Sequence, residues 1–435
     1  MRSTPVRALL TLGLGGSLLA GCGGDGKTKA GKYADFHYTS ADITGPVAAA
    51  SSSLPVDVYL DGTYSMQGFA RPQPTNFSRL LGGIVAAVQN ATKSSDLRYF
   101  KYGRTVAPLQ RDAFVAAGTD STFWSDKKFR SETNFAQAVD STKADRVSIF
   151  ITDLFYSKGD AQKVVTAIQD NGFKKGIELG LVGLQSDFNG YVADLAPTWK
   201  EAVPVKGNRQ LYLLILGSKP NIQLILSALR SQSYVQSEQA LLLTRYPVKS
   251  FTTTAAKARD SKALKTSAER RQVPNSVNTY AFTWDEDRGS QGTVDYTISY
   301  VPEPYTLPIT ANSLKVSVFR KDKAAQDSVA DAQTLALLGT QAGAGTIKGQ
   351  AQASLQLAPK TYTAYQLTWQ YNNLGSVELP SWVQAASTAS FTAASPASER
   401  LKTYKLDEFV RSLAVSAATQ FEPKYGRLYL VFSRH

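Results

Sequence analysis

Hydrophobic positions fall into two regimes along this chain. From residue 54 to about 250, short apolar runs alternate with stretches whose apolar residues recur three or four positions apart. The runs are Val56–Asp61, Val147–Asp153, Ile177–Leu184 and Leu211–Leu216. They lack clean polar alternation, which is how strands buried on both faces read. Leu80, Leu81, Ile84, Val85 and Val88 give Phe77–Lys93 the single apolar face of a helix. Val164, Val165 and Ile168 do the same for 161–171, and Ile222–Leu229 reads as the helix after the strongest run. Strands alternating with helices predict βαβ units and a doubly wound, mostly parallel sheet. Leu97–Val106 alternates apolar with charged residues and belongs nearer an edge. Gly190–Asn208, with Pro197, Trp199 and Pro204, replaces an expected crossover helix by an irregular excursion or a small hairpin.

From about 276 the period changes to two. Tyr280–Trp284, Val294–Tyr300, Leu314–Val318 and Tyr362–Trp369 all alternate. Spaced alternating strands predict an antiparallel, sandwich-like β-rich domain over 276–435. It carries one helix, with Leu406, Phe409, Val410 and Leu413 at helical spacing, and a last strand at Leu428–Phe432. Between the two regimes, 251–275 holds Lys257, Arg259, Lys262, Lys265, Arg270 and Arg271, and reads as a solvated basic linker.

Composition adds limits. A chain of 435 residues with 43% apolar and 19% charged residues is globular. The formal charge of +13 is scattered, so it predicts a dispersed basic surface and no nucleic-acid partner. Arg2 and Arg7 precede an apolar segment, Ala8–Ala20, that is too short to span a bilayer. With Leu19-Ala20-Gly21-Cys22 after it, the segment 1–21 resembles a bacterial lipoprotein signal peptide. The resemblance implies cleavage after Gly21, lipid on Cys22, and an extracytoplasmic protein anchored at the cell membrane or outer membrane. Cys22 is the only cysteine, so a disulfide framework is excluded. Residues 22–53, rich in Gly, Ser and Ala, read as a flexible tether.

Candidate chemistry gathers at strand ends. Asp61, Thr63 and Ser65 crowd oxygen donors just past the first run. In open α/β sheets this carboxyl end is where ligands bind, and oxygen-only donors suit a hard cation such as Mg²⁺. Asp153 ends a second run. Thr133 precedes the apolar residues Phe135, Ala138 and Val139, where Thr133 or Ser131 also reads as a plain helix N-cap. Together, Asp61-Gly62-Thr63-Tyr64-Ser65, Glu132-Thr133-Asn134 and Thr152-Asp153-Leu154 resemble the three motifs of the von Willebrand factor A (VWA) domain and its metal-ion-dependent adhesion site. The resemblance covers roughly 54–230. It implies that Thr63, Ser65 and Thr133 ligate Mg²⁺ (or Mn²⁺ or Ca²⁺) through hydroxyls. Asp61 and Asp153 would hold metal-bound waters, and the ion would accept a carboxylate from a protein partner. Two residues depart from the pattern: Thr63 replaces Ser, and Leu154 replaces Gly. Glu132 and Asp187 read as solvated loop residues that rim the site at most.

Catalytic alternatives are few. The two histidines, His37 and His435, exclude a His-based triad and a zinc centre. No phosphate-cradling Gly-Lys-Thr/Ser loop occurs and no Gly-x-Gly-x-x-Gly follows a strand. Asp285-Glu286-Asp287 reads as a charged turn. The expectation is a membrane-anchored binding protein and not an enzyme; the alternative is an assembly lipoprotein of the envelope with a metal-independent scaffold.

Overall fold

The computed structural model describes residues 41–434 apart from 46–52, 72, 94–95, 131–133, 156–160, 193–201, 234–238, 260–262, 267–278, 323–328, 332, 344, 373–376, 390–391 and 393. The signal segment, Cys22, Glu132 and Thr133 therefore lie outside the described residues.

Seven strands build the first sheet: β1 (Val56–Asp61), β2 (Leu97–Tyr102), β3 (Val106–Leu109), β4 (Val147–Thr152), β5 (Glu178–Val192), β6 (Val203–Gly217) and β7 (Ala240–Leu243). Their order is β3-β2-β1-β4-β6-β5-β7. β1 pairs in parallel with both β2 and β4, and the other four pairings are antiparallel. The sheet is mixed, which corrects the expectation of a mostly parallel one. The reason lies in β5 and β6. They form a single hairpin, in register from Glu178↔Gly217 to Val192↔Val203, and β6 inserts between β4 and β5. The described strand residues of the excursion, 190–192 and 203–208, belong to this hairpin.

Every residue of β1 and of β4 is buried, as their unalternating runs require. The helices Asn76–Thr92 and Lys219–Ser231 lie side by side on one face. The first is closed by a capping box in which Thr75 and Ser78 exchange side-chain-to-backbone bonds. The helices Phe135–Asp140 and Ala161–Asn171 cover the other face, with Phe135, Val139, Val164 and Ile168 in one cluster with Tyr59, Phe150, Leu181 and Leu214.

The rest of the chain forms two facing sheets. β8 (Val248–Arg259) and β9 (Leu264–Thr266) are followed by β10 (Thr279–Trp284), β11 (Gln291–Pro302), β12 (Leu314–Asp322), β13 (Val329–Ala330), β14 (Leu335–Gly343), β15 (Thr346–Ser354), β16 (Tyr362–Tyr371) and, past a two-stranded pair at 387–388 and 403–404, the last long strand at Lys424–Ser433. One sheet runs β13-β12-β16, then the last strand, then β10-β9; the other runs β14-β15-β11-β8. Tyr296 of β11 meets Trp369 of β16 across the sandwich, with ring centroids 5.1 Å apart. β8 and β9 occupy part of 251–275, so that stretch is not only a linker. Its alternation is hidden in the sequence because strand residues share the segment with lysines and arginines. Glu286–Arg288 is a single turn between the sheets, with Asp285 paired to Arg288 at 3.0 Å.

Two segments break the expected boundaries. The helix Leu406–Phe421 leaves the sandwich and packs on the 161–171 helix, with Phe421 edge-on to Phe173 at 5.2 Å. The chain leading into it lies along the first sheet: Trp382 fills the space over Gly183, and Thr403 bonds the Tyr212 hydroxyl at 2.8 Å. The stretch expected to be all tether also holds a short helix, Ala41–Thr44, whose Ile43 is fully buried. The Thr44 carbonyl accepts from Lys219 Nζ at 3.1 Å, and Asp42 pairs with Arg427 at 3.4 Å. An aliphatic side chain followed by a left-handed Gly45 (φ +82°) set against Tyr246 is enough to dock this turn.

Candidate metal centre

Parallel pairing of β1 with β4 fixes the site. The register Leu60↔Ile151 places Asp61 beside Thr152, and both strands deliver their carboxyl ends to the same place. Thr152 Oγ1 donates to Asp61 Oδ2 at 2.8 Å. After Asp61 the chain turns sharply. Thr63 donates its backbone N–H (3.0 Å) and its hydroxyl (2.7 Å) to Asp61 Oδ1. A 3₁₀ turn, Tyr64–Phe69, follows; burial of Met66 and Phe69 folds it back over the strand end. That return brings Ser65 Oγ to 3.3 Å from Thr63 Oγ1, and Ser65 donates to Asp153 Oδ1 at 3.1 Å. Four of the five residues singled out for metal binding, Asp61, Thr63, Ser65 and Asp153, are thus joined in one chain of contacts. The fifth, Thr133, lies outside the described residues. Its neighbour Asn134 bonds the Gly103 carbonyl at 2.8 Å and caps the 135–140 helix by accepting from Gln137 N. The N-cap is therefore Asn134, not Thr133 or Ser131.

The hydroxyls show how the donor set fits a cation. Each can donate to a carboxylate, Thr63 to Asp61 and Ser65 to Asp153. Thr63 Oγ1 and Ser65 Oγ also lie 3.3 Å apart, with either able to donate to the other, so two hydroxyl oxygens converge on one point. Asp153 Oδ2 is buried with no hydrogen-bond partner. Among the described residues no three His, Cys, Asp or Glu side chains cluster for a metal, so an ion here relies on hydroxyl oxygens and water. That donor set suits Mg²⁺ or Mn²⁺.

Electrostatics set the cost of the site. Asp61 is 1% exposed and Asp153 fully buried. Burial, with the nearby Asp153 charge second, pushes the Asp61 carboxyl up to about 7. Burial also raises Asp153, against the opposing pull of Arg209. Arg209 belongs to none of the sequence motifs. It comes from β6, where pairing with Ser186 holds it level with the strand ends. Its Nη2 lies 3.5 Å from Asp153 Oδ2, both side chains being 1% exposed, and its guanidinium sits 5.0 Å from the centre of the Phe188 ring. The only signal in the sequence is a charge just ahead of the Leu211–Leu216 run, and nothing local ties it to Asp153. Of the rim candidates, Asp187 is exposed on β5, and Glu132 lies outside the described residues.

Leu154 occupies the position where the motif has glycine, and its φ of +52° is left-handed. Its N–H donates to Thr152 Oγ1 at 3.1 Å, and its side chain is buried. Leu154→Gly relieves backbone strain of about 1–2 kcal/mol but removes a buried leucine, at about 2–5 kcal/mol. Loss of the leucine outweighs the relief of strain. The variant is expected to be less stable by about 1–3 kcal/mol in chemical unfolding, and a gain in stability would show that strain dominates.

No family model matches this chain, and neither a curated protein nor a solved structure matches it.

Proposed function

We propose that the chain is a lipid-anchored extracytoplasmic binding protein of the VWA type. A divalent cation held by Thr63, Ser65 and Thr133, with Asp61 and Asp153 orienting its waters, docks a carboxylate of a protein partner. The observation that carries this reading is the pair of hydroxyl oxygens 3.3 Å apart, each in hydrogen-bond contact with a buried aspartate. When bound, the ion supplies a positive coordination position for the incoming carboxylate. The chain's own residues do the rest: they exclude bulk water from the aspartates and leave a way in. Ser65 and Tyr64 are only half-buried. Beside them Gln67, Gly68, Arg71, Asn189 and Tyr191 line a groove of about 240 Å³, with the Tyr191 side chain exposed. No described helix is long and apolar enough to cross a membrane; the anchor in this reading is the lipid on Cys22.

A second reading, a metal-independent assembly scaffold, is favoured by one observation: Asp153 already faces a buried cation, Arg209. One experiment separates the two. Pull-downs with the wild-type chain in Mg²⁺ are expected to retain partners that chelator releases and that Asp61→Ala never captures. Partners held equally in chelator would favour the scaffold and sink the cation reading.

A further inference from the structure

Three charges share the closed end of β1, β4 and β6. Asp61 and Asp153 contribute two carboxylates, and Arg209 the only cationic side chain paired with either among the described residues. The arginine is poorly served in return. Nε and Nη1 are buried with no hydrogen-bond partner, and its one ionic contact is the 3.5 Å approach to Asp153 Oδ2, itself otherwise unpartnered. A guanidinium normally donates two parallel bonds to a carboxylate. Here the Phe188 ring packs against the guanidinium, and the Asp61 carboxylate already accepts three bonds, two from Thr63 and one from Thr152. Buried polar atoms left in this state call for an explanation in bound water, ions or alternative contacts.

We infer that Arg209 is the resident counter-ion of the site, and that a divalent cation must compete with it for Asp153. The inference rests on the cation reading above. A dication alone balances the two aspartates. A dication with Arg209 still in place leaves an uncompensated positive charge among groups that are almost fully buried, where like charges repel strongly. Arg209 therefore sets the affinity for the ion, holding it low enough that occupancy follows the ambient concentration. It also keeps Asp153 neutralised when no ion is bound. β6 supplies this residue from the long hairpin, so the β5–β6 insertion has a use beyond shape.

The test is a Mn²⁺ titration of the full chain, followed by calorimetry and by the electron paramagnetic resonance signal of free Mn²⁺. Wild type is expected to bind weakly, Arg209→Met at least tenfold more tightly, and Arg209→Lys like wild type. Arg209→Met binding no tighter than a wild type that does bind overturns the counter-ion role and leaves the cation reading standing. Absence of binding in all three chains overturns both. Should Arg209→Met fail to fold in chelator, Mn²⁺ is expected to restore its far-ultraviolet circular dichroism, because the ion takes over the charge that was removed; a chain that stays unfolded in Mn²⁺ overturns the role as well.

Discussion

A fragment ending at residue 250 is expected to aggregate, not to behave as a free-standing cation-binding domain. The chain invites such a cut, since the strand-helix alternation stops there. Yet the face of the first sheet that carries Tyr59, Phe150, Leu181 and Leu214 shares one apolar cluster with Leu406, Phe409, Val410, Leu413 and Phe421. Each large apolar side chain withdrawn from water contributes about 1.5–3 kcal/mol, so removing this helix alone forfeits roughly 10 kcal/mol. That is as large as the whole net stability of an ordinary domain, about 5–15 kcal/mol. The loss is compounded at Gly183 and Tyr212, which lose Trp382 and Thr403. Size-exclusion chromatography and thermal unfolding of 54–250 decide the matter. A monomeric fragment with a cooperative transition would show that the helix is dispensable.

The second large effect concerns Asp57, at the opposite end of β1 from the site. It is 2% exposed. It accepts two bonds from Arg98, at 2.8 and 2.6 Å, and two from Arg146, at 3.0 and 2.7 Å. Arg146 also reaches Asp96 at 2.6 Å. Arg98 is half exposed and contributes little on its own. Arg146 is 9% exposed, and without Asp57 it loses two of its three carboxylate bonds, keeping the one to Asp96. Asp57→Ala is therefore expected to cost about 3–5 kcal/mol, seen as a fall in melting temperature of roughly 6–15 °C. Pairing the change with Arg146→Met removes the stranded charge and is expected to recover part of the loss. If the double variant is as unstable as the sum of the single ones, the stranded-charge account is wrong.

Both effects show where sequence reading stops. Apolar runs locate β1, β4 and β6 and the 76–92 helix, because burial on both faces and on one stripe leaves distinct periods. Oxygen-bearing residues at the ends of two such runs are enough to single out Asp61, Thr63, Ser65 and Asp153, which do meet. A run buried on both faces carries no sign of its direction, however, so the antiparallel course of β6 is invisible in the sequence. With it goes Arg209, whose contact with Asp153 is set by pairing between strands and not by spacing. Asp57 is inconspicuous inside an apolar run because its partners, Arg98 and Arg146, are 41 and 89 residues away. The docking of 382–421 onto the first sheet is equally non-local: nothing in an amphipathic helix says which of two domains it will cover.

The buried turn at Ile43 has a mechanical consequence. If Cys22 holds the chain to a membrane, a pull on that attachment meets Ile43, the first buried side chain among the described residues, before Val56. Ile43 and its neighbours are fastened to β8, to the last strand, and through Lys219 to the 219–231 helix. A force entering along the chain from Cys22 thus meets the sandwich and the 219–231 helix before it reaches the start of β1.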